Sequence, residues 1–292
     1  MLDAAPSLRA LRGPALPVDR LVAGKRVDEV AALLPRLFAL CRAAQAAAVG
    51  AALGRPVDAG GIGQEVLRDH ALKLCVTWPN LLGLGPRPLG AALTDRAALA
   101  RAIFGPAGRP PATPHDFAAF LASGLGAGPV LAGIAQVFSP GLAVADGLPT
   151  LDGTNIWQAA PVENSTAARH VAHPVMRALE ASHGRGALWR AAARLYDIGM
   201  VLDGGLPPVI DTAPGTAIVP ATRGSYAVRI ETEGEIVTRF TRVTPTDSLL
   251  APGGILDRAL ASLPADRAGL GPLLLDILDP CAPVRLEEVR HA

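Results

Sequence analysis

Apolar residues recur at helical spacing along most of the chain up to Leu202. The segment 27–53 has acidic residues near its start and Gly54 just beyond its end, which predicts one long helix that bends at Pro35. Other segments share this spacing and are also predicted to be helices: from Gly63 to about 77, 94–104, from 116 onward, 166–182, 186–202 and 255–263. The chain is therefore predicted to be mainly helical.

The pattern changes after Asp203, where a stretch rich in proline and glycine leads into alternating apolar and polar positions. Residues 225–231 and 235–243 each alternate as strands do, and Glu233-Gly234 between them is typical of a hairpin turn. We therefore expect an α+β fold, mainly helical, with a β-hairpin insert near residues 216–245. We expect one domain over residues 1–292, with a hairpin subregion at about 204–250.

One stretch without charged residues, between Asp116 and Asp146, is long enough to cross a bilayer. Several glycines and prolines interrupt it, and such residues break a membrane-spanning helix. The stretch is therefore expected to form buried helix and loop pieces rather than a membrane span.

Composition narrows the classes of function. The 27 basic and 26 acidic residues give a net charge of +1, which offers no electrostatic basis for binding nucleic acid or an anionic membrane. The first residues lack a basic segment followed by an apolar one, so no secretory signal is expected. Three cysteines in a chain of 292 residues argue against a disulfide framework. A reducing, cytoplasmic location is expected.

The cysteines are the first candidates for chemistry, because a thiolate is a nucleophile and a soft metal ligand. Taken alone, Cys41 and Cys75 are typical of small core residues, whereas Cys281 follows an Asp-Pro pair that ends a helix. No two cysteines have the C-x-x-C spacing of zinc fingers or iron–sulfur proteins. His170 and His173, one helical turn apart, are predicted to lie on a helix surface.

Five landmarks, in order along the chain, resemble patterns of the large subunit of nickel–iron hydrogenases. Residues 35–45 resemble R-x-C-G-x-C-P-x-x-H, residues 69–74 resemble H-x-x-x-L and residues 161–169 resemble E-x-G-P-x-A-R. Residues 221–226 resemble A-P-R-G-x-L and form one landmark with residues 243–246, a V-V-P-T/S-like segment that follows them. Residues 279–284 resemble D-P-C-x-x-C. Each match is weak, but the ordered set is specific.

The resemblance implies a metal site. In that family four thiolates hold nickel and iron, the iron carries two cyanides and one carbon monoxide, and an arginine and a V-P-S/T segment surround the cyanides. Carried over to this sequence, Cys41 and Cys281 are the expected metal ligands. Arg223 and Thr246 are the expected cofactor-binding residues, because cyanide nitrogens accept hydrogen bonds from such donors.

The departures from the family are equally informative. Phe38 and Val284 stand where the pattern has the partner cysteines, and Gln45, Val228 and Glu287 stand where it has histidines. Nickel is therefore not expected, and neither is hydrogen cleavage. The chain resembles accessory proteins built like shortened large subunits, the HupK/HoxV type. This implies a non-catalytic maturation scaffold or chaperone that transiently holds an Fe(CN)2(CO) fragment, with maturation chaperones and the hydrogenase large subunit as partners.

Two alternatives remain open at this point. The chain could be a divergent metalloenzyme with a single cysteine-bound iron, or a metal-free mimic of the large subunit that binds maturation partners.

Overall fold

The computed structural model of the protein describes residues 7–14, 16–37, 40–158, 160–206 and 211–289. Phe38 and residues 1–6, on which two of the sequence expectations rest, lie outside the described residues.

Helices form most of the molecule, as the apolar spacing predicts. Their bounds are α1 Val18–Val22, α2 Val27–Leu37, α3 Arg42–Ala52, α4 Ala59–Leu72, α5 Trp78–Leu81, α6 Arg96–Phe104, α7 Pro114–Ala122, α8 Gly128–Val137, α9 Pro174–His183, α10 Ala187–Leu202, α11 Pro245–Leu249, α12 Ile255–Ala261 and α13 Gly271–Leu278. A π-helical turn, Lys73–Thr77, joins α4 to α5, and Thr166–His170 forms a 3-10 turn before α9.

Helix α10 lies at the centre of the helical layer. All of its residues except Met200 and Leu202 are buried, and it packs against α4, α6, α8, α9 and α13. It also carries three charged residues into the interior: Arg190, Arg194 and Asp197. Buried charges are tolerated only when they are paired and hydrogen-bonded, so this helix must be surrounded by complementary polar groups.

A four-stranded antiparallel sheet packs against α3. Its order is β2 Asp211–Ala213, β3 Thr216–Ala221, β4 Gly224–Glu233 and β5 Ile236–Val243. Strands β4 and β5 confirm the predicted hairpin, and the α+β fold class is confirmed with it. A separate two-stranded sheet pairs β1 Ser7–Arg12 with β6 Val284–Val289, which joins the two ends of the described chain.

The prediction of a single helix over residues 27–53 is wrong. The segment forms two packed helices, α2 and α3, and Cys41 precedes α3 with a left-handed backbone, φ 56°. Pro35 lies inside α2 and does not mark the break. Alanine-rich sequence keeps its helical spacing across the interruption, so periodicity alone does not reveal it.

Two further helix boundaries differ from expectation. Helix α4 begins at Ala59 rather than after Gly63, because the side chain of Asp58 accepts a hydrogen bond from the backbone N–H of Gly61. The segment 166–182 is two pieces, since Pro174 starts a new helix behind the 3-10 turn. Within the described ranges, none of the helices has the length and hydropathy needed to cross a bilayer.

Candidate functional site

Cys41 directly precedes α3, the helix that packs against α2. The carboxylate of Glu65 on α4 accepts hydrogen bonds from the backbone N–H groups of Ala43 (2.8 Å) and Ala44 (3.4 Å). A carboxylate at this end of a helix satisfies free N–H groups and favours the helix dipole. Glu65 therefore anchors the start of α3 and, with it, the position of the Cys41 thiol.

Arg223 lies in the tight turn between β3 and β4. Gly224, the next residue, has φ 146°, and a side chain there would collide with Asn164, whose Oδ1 lies 2.5 Å from the ideal Cβ position. Asn164 also hydrogen-bonds both the N–H (2.7 Å) and the carbonyl (3.1 Å) of Ser225. The close approach of Asn164 therefore requires glycine after Arg223 and fixes the turn.

Side chains of the segment 161–169 hydrogen-bond the backbone of the same turn. Arg169 donates hydrogen bonds from Nη2 to the carbonyl oxygens of Ala221 and Gly224, and the Thr166 hydroxyl donates to the carbonyl of Thr222 (2.8 Å). Two landmarks that are separate in the sequence are therefore packed together. Their contacts hold the backbone from which the Arg223 guanidinium extends.

The Arg223 side chain joins Cys41 to Asp279. Its Nη1 donates to the sulfur of Cys41 over 3.4 Å, and its Nε lies 2.9 Å from Asp279 Oδ2. The Nε atom is buried and makes no hydrogen bond of good geometry within the described part of the chain. The neighbouring carboxylates raise the pKa of Arg223 despite its burial, so the guanidinium stays charged.

Cys281 is held by Thr246, in the first turn of α11. The Thr246 hydroxyl donates to the sulfur of Cys281 (2.8 Å) and accepts from its backbone N–H (2.7 Å). The helix itself is fixed by a capping box between Thr244 and Asp247, with Pro245 in its first position. Asp279, two residues before Cys281, adopts φ 54° and ends α13.

Both thiols line one cavity of about 190 Å³. Cys41 is buried and Cys281 is partly exposed, so the cavity runs from the interior to the surface. Of the described residues that line it, three are arginines (Arg12, Arg223 and Arg242) and none is acidic. The walls therefore combine two thiols, a side-chain type that suits soft metals, with hydrogen-bond donors of a type that suits anions.

Burial controls the chemistry of Cys41. Desolvation raises the pKa of this thiol to about 11, and the Arg223 guanidinium offsets only part of the shift. The thiol is therefore neutral near pH 7 when nothing is bound. A metal that binds there has to displace the proton.

Behind Arg223 a chain of buried polar contacts leads into the core. Arg194 donates to Asp279 Oδ2 (3.1 Å) and also contacts His70 Nδ1 (3.0 Å), while His70 Nε2 meets Asp197 Oδ2 (2.9 Å). Because Arg194 can only donate, His70 Nδ1 accepts and its Nε2 carries the proton. Burial lowers the pKa of His70 to about 4, so its ring is neutral. This series of polar contacts fixes the position of Asp279 and hence the orientation of the Arg223 side chain.

The surface position predicted for the two histidines is wrong for His170, whereas His173 is partly exposed. His170 is buried and its Nε2 meets Asp197 Oδ1 at 3.0 Å, while His173 caps α9 and packs on the ring of Tyr196. Asp197 on α10 draws His170 inward, a contact between distant segments that i, i+3 spacing does not reveal. Within the described ranges, no group of three or more His, Cys, Asp or Glu side chains is arranged to hold a metal ion.

The four residues predicted for the site lie together. Cys41, Cys281 and Arg223 line the cavity, and Thr246 contacts Cys281. Cys75 is a buried core residue, as expected, with Arg87 Nη2 3.7 Å from its sulfur. What the four residues bind stays a prediction.

Sequence reasoning missed the buried charges behind the site. Their signal was present: Arg190, Arg194 and Asp197 recur at helical spacing on an otherwise apolar helix. Charged residues on one face of a buried helix indicate a polar network in the core.

No protein-family model matches the chain. Over 279 residues it is 47% identical to the hydrogenase expression/formation protein HupK of Rhodobacter capsulatus, an alignment that covers 95% of this chain and 92% of that protein. Its fold is similar to that of the Ni-Fe-Se hydrogenase of Desulfovibrio vulgaris Hildenborough, with a TM-score of 0.54, 14% identity and coverage of 94% and 95% of the two chains. It is also similar to that of the Ni-Fe-Se hydrogenase of Desulfomicrobium baculatum, with a TM-score of 0.52, 12% identity and coverage of 92% of each. At such identities the structural likeness establishes the fold alone, that of a hydrogenase large subunit.

Proposed function

The chain belongs to the hydrogenase expression/formation proteins of the HupK type, and on this premise we propose that it is a non-catalytic scaffold for metal-centre assembly. Its cargo is an Fe(CN)2(CO) fragment, held between Cys41 and Cys281 and then passed to the hydrogenase large subunit. Maturation chaperones supply the fragment.

One observation carries the proposal: thiols from distant parts of the sequence line the same cavity, beside a charged guanidinium. Thiolates are soft ligands that suit iron in such fragments. A cyanide bound to iron leaves negative charge on its outer nitrogen, which favours a charged donor in a dry pocket. Arg223 is buried and charged, so it meets that requirement.

The number of thiols at the cavity supports a partial metal centre rather than a complete one. Cys75, the third cysteine of the sequence, is buried in the π-helical turn and does not line the cavity. Two thiols can hold one iron that already carries three diatomic ligands. They supply only half of the four thiolates with which hydrogenases hold nickel and iron.

Binding and release of the iron fragment depend on the proton of the Cys41 thiol. Binding of iron releases the proton of Cys41, and Arg223 then compensates the negative charge of the thiolate over 3.4 Å. When the cargo leaves, the raised pKa of the buried thiol favours its reprotonation. A site that regains its protons easily suits temporary holding better than permanent ligation.

The proposal is tested by the infrared spectrum of the chain purified anaerobically from a host with intact maturation machinery, together with its iron and nickel content. We expect C≡O and C≡N bands and iron without nickel. The bands should be lost in Cys41→Ala and in Cys281→Ala and kept in Cys75→Ala, a matched control away from the cavity.

Other outcomes favour the alternatives. Stoichiometric nickel together with hydrogen uptake would indicate a divergent metalloenzyme. Metal-free protein that still captures maturation partners would indicate a mimic of the large subunit. Bands that are unchanged in both cavity variants would reject Cys41 and Cys281 as the ligands.

A further inference from the structure

Thr246 holds Cys281 through two hydrogen bonds of opposite direction. Its hydroxyl oxygen accepts from the Cys281 N–H over 2.7 Å, and its single proton is donated to the Cys281 sulfur over 2.8 Å. Thr246 is buried, so water does not compete for this contact. The hydroxyl that the resemblance assigns to a cyanide nitrogen is therefore already engaged by the sulfur of Cys281.

A hydrogen bond to a sulfur ligand changes the bond between that sulfur and a metal. The donor draws electron density from the sulfur, which weakens the iron–sulfur bond. It also stabilises the thiolate that is left when the bond breaks, because charge-assisted hydrogen bonds are the strong ones. The Thr246 hydroxyl therefore favours a Cys281 sulfur that can leave iron and bind it again.

The two thiols of the cavity differ in access. Cys41 is only 6% exposed and lies at the inner end of the cavity, whereas Cys281 is partly exposed. A ligand that arrives from solvent or from another protein therefore meets Cys281 first. An exchange of ligands that begins at Cys281 needs no opening of the core.

The surroundings of Cys41 suit a lasting attachment. Its contact with Arg223 is longer, 3.4 Å, and acts mainly through the buried positive charge, which compensates a thiolate bound to iron. The carboxylate of Glu65 holds the first turn of the helix that follows Cys41. Cys281 instead lies in the irregular segment between α13 and β6, and its donor is a neutral hydroxyl.

The geometry points to Cys281 as the thiol at which the iron fragment enters and leaves the cavity, with Thr246 as the positioning residue that eases this exchange and Cys41 as the anchor that is released last. This inference rests on the proposed function and adds to it the order of the steps. In the exchange, the bond from iron to the Cys281 sulfur breaks and a bond to a thiol sulfur of the accepting protein forms. The proton of the incoming thiol passes to the Cys281 thiolate, so no oxidant or reductant is needed.

The order of release is tested with iodoacetamide on the full chain, purified anaerobically from a host with intact maturation machinery. The reagent forms a carbon–sulfur bond with a thiolate that has left the iron, and iodide departs. Peptide mass spectrometry follows Cys281 while infrared spectra follow the C≡O and C≡N bands. We expect Cys281 to be modified at least as fast as the bands fade, and more slowly than in unloaded protein. Bands that fade before Cys281 is modified would overturn the inference.

Two variants test the part of Thr246. Thr246→Val removes the hydroxyl and Thr246→Ser keeps it. With each rate divided by that of the same variant without iron, Cys281 of loaded Thr246→Val should be modified roughly tenfold more slowly than in wild type, the effect of one charge-assisted hydrogen bond. All C≡O and C≡N bands should also move to lower wavenumber, because the sulfur then gives more charge to iron. Thr246→Ser should match wild type in both measurements.

Thr222→Val is the matched control. Thr222 is fully buried, and its hydroxyl has no hydrogen-bond partner among the described residues, so rate and bands should equal those of wild type. Equal rates in Thr246→Val and wild type, or a shift of one C≡N band alone, would overturn the inference and leave the proposed function standing. Equal modification of Cys281 with and without iron, or absence of bands from wild type, would overturn the proposed function and the inference with it.

Discussion

Arg223 and Cys41 are 182 positions apart in the sequence, yet Arg223 Nη1 donates a hydrogen bond to the Cys41 sulfur over 3.4 Å. This contact links the sheet to the start of α3. It also sets a fixed positive charge beside a thiol that burial keeps neutral. The protonation state of the Cys41 thiol therefore depends on Arg223, which lies beside it only in the folded protein.

Replacing Arg223 by leucine should destabilise the protein, because Asp279 and Asp69 then lose a buried cation. Arg194 and Lys73 also contact Asp279, so the loss is smaller than for an isolated buried pair. We expect the free energy of unfolding to fall by about 2–3 kcal/mol, measured by urea denaturation.

Arg239→Leu is the control for that measurement. Arg239 is exposed and lies 3.7 Å from Glu231, so its removal should change the free energy of unfolding by less than about 0.5 kcal/mol. Equal losses in the two variants would show that Arg223 is not a buried structural cation.

The left-handed backbone of Cys41 gives a second prediction. Glycine adopts φ 56° without strain, whereas a β-branched residue does not. Cys41→Val should therefore be less stable to urea than Cys41→Gly by at least about 1–2 kcal/mol. If Cys41→Val were more stable than Cys41→Gly, a left-handed backbone at Cys41 would be contradicted. Cys41→Gly is thus also a second variant, beside Cys41→Ala, for removing this thiol.

The sequence revealed the parts of the fold whose signals are local. The β4–β5 hairpin follows from alternation around Glu233-Gly234, and α6 begins after Asp95, whose side chain caps it. The break between α2 and α3 could not be predicted, because it depends on tertiary contacts. Glu65 anchors the start of α3, and Arg223 meets Cys41 at the turn.

The site was predictable only through resemblance. Without the resemblance, the sequence around Cys41 is typical of a buried apolar helix. The spacing of residues along the sequence does not predict that Cys41 lies near Cys281. The buried position of His170 depends on Asp197, which lies 27 positions away on α10. The charged residues on α10 indicate a buried polar network, but the sequence does not show which residues they contact.

Acid should destabilise the protein through His70. Burial lowers its pKa from 6.5 to about 4, so in the unfolded chain this residue takes up a proton at a higher pH than in the folded chain. The free energy of unfolding should therefore decrease as the pH falls from about 6.5 to about 4, by up to about 3 kcal/mol. Urea titrations across this range would measure the slope, and His70→Gln should flatten it. Equal slopes in variant and wild type would exclude His70 as the cause.

The three cysteines should differ in reactivity. Burial raises the pKa of Cys41 to about 11 and raises that of Cys75, whereas Cys281 is partly exposed. Iodoacetamide near pH 8 should therefore modify Cys281 first, and the other two only after unfolding. Mass spectrometry of peptides would identify the order, and modification of Cys41 before Cys281 would contradict the burial of Cys41.

X-ray absorption at the iron edge counts the sulfur atoms bound to iron and is therefore the decisive measurement for a site made by Cys41 and Cys281. We expect two sulfur ligands and a set of light diatomic ligands in the wild-type protein. In Cys281→Ala, any iron that remains should have no more than one sulfur ligand, and Cys75→Ala should match wild type. Iron without sulfur ligands, or a sulfur count that is unchanged in Cys281→Ala, would contradict the claim that Cys41 and Cys281 together hold the fragment.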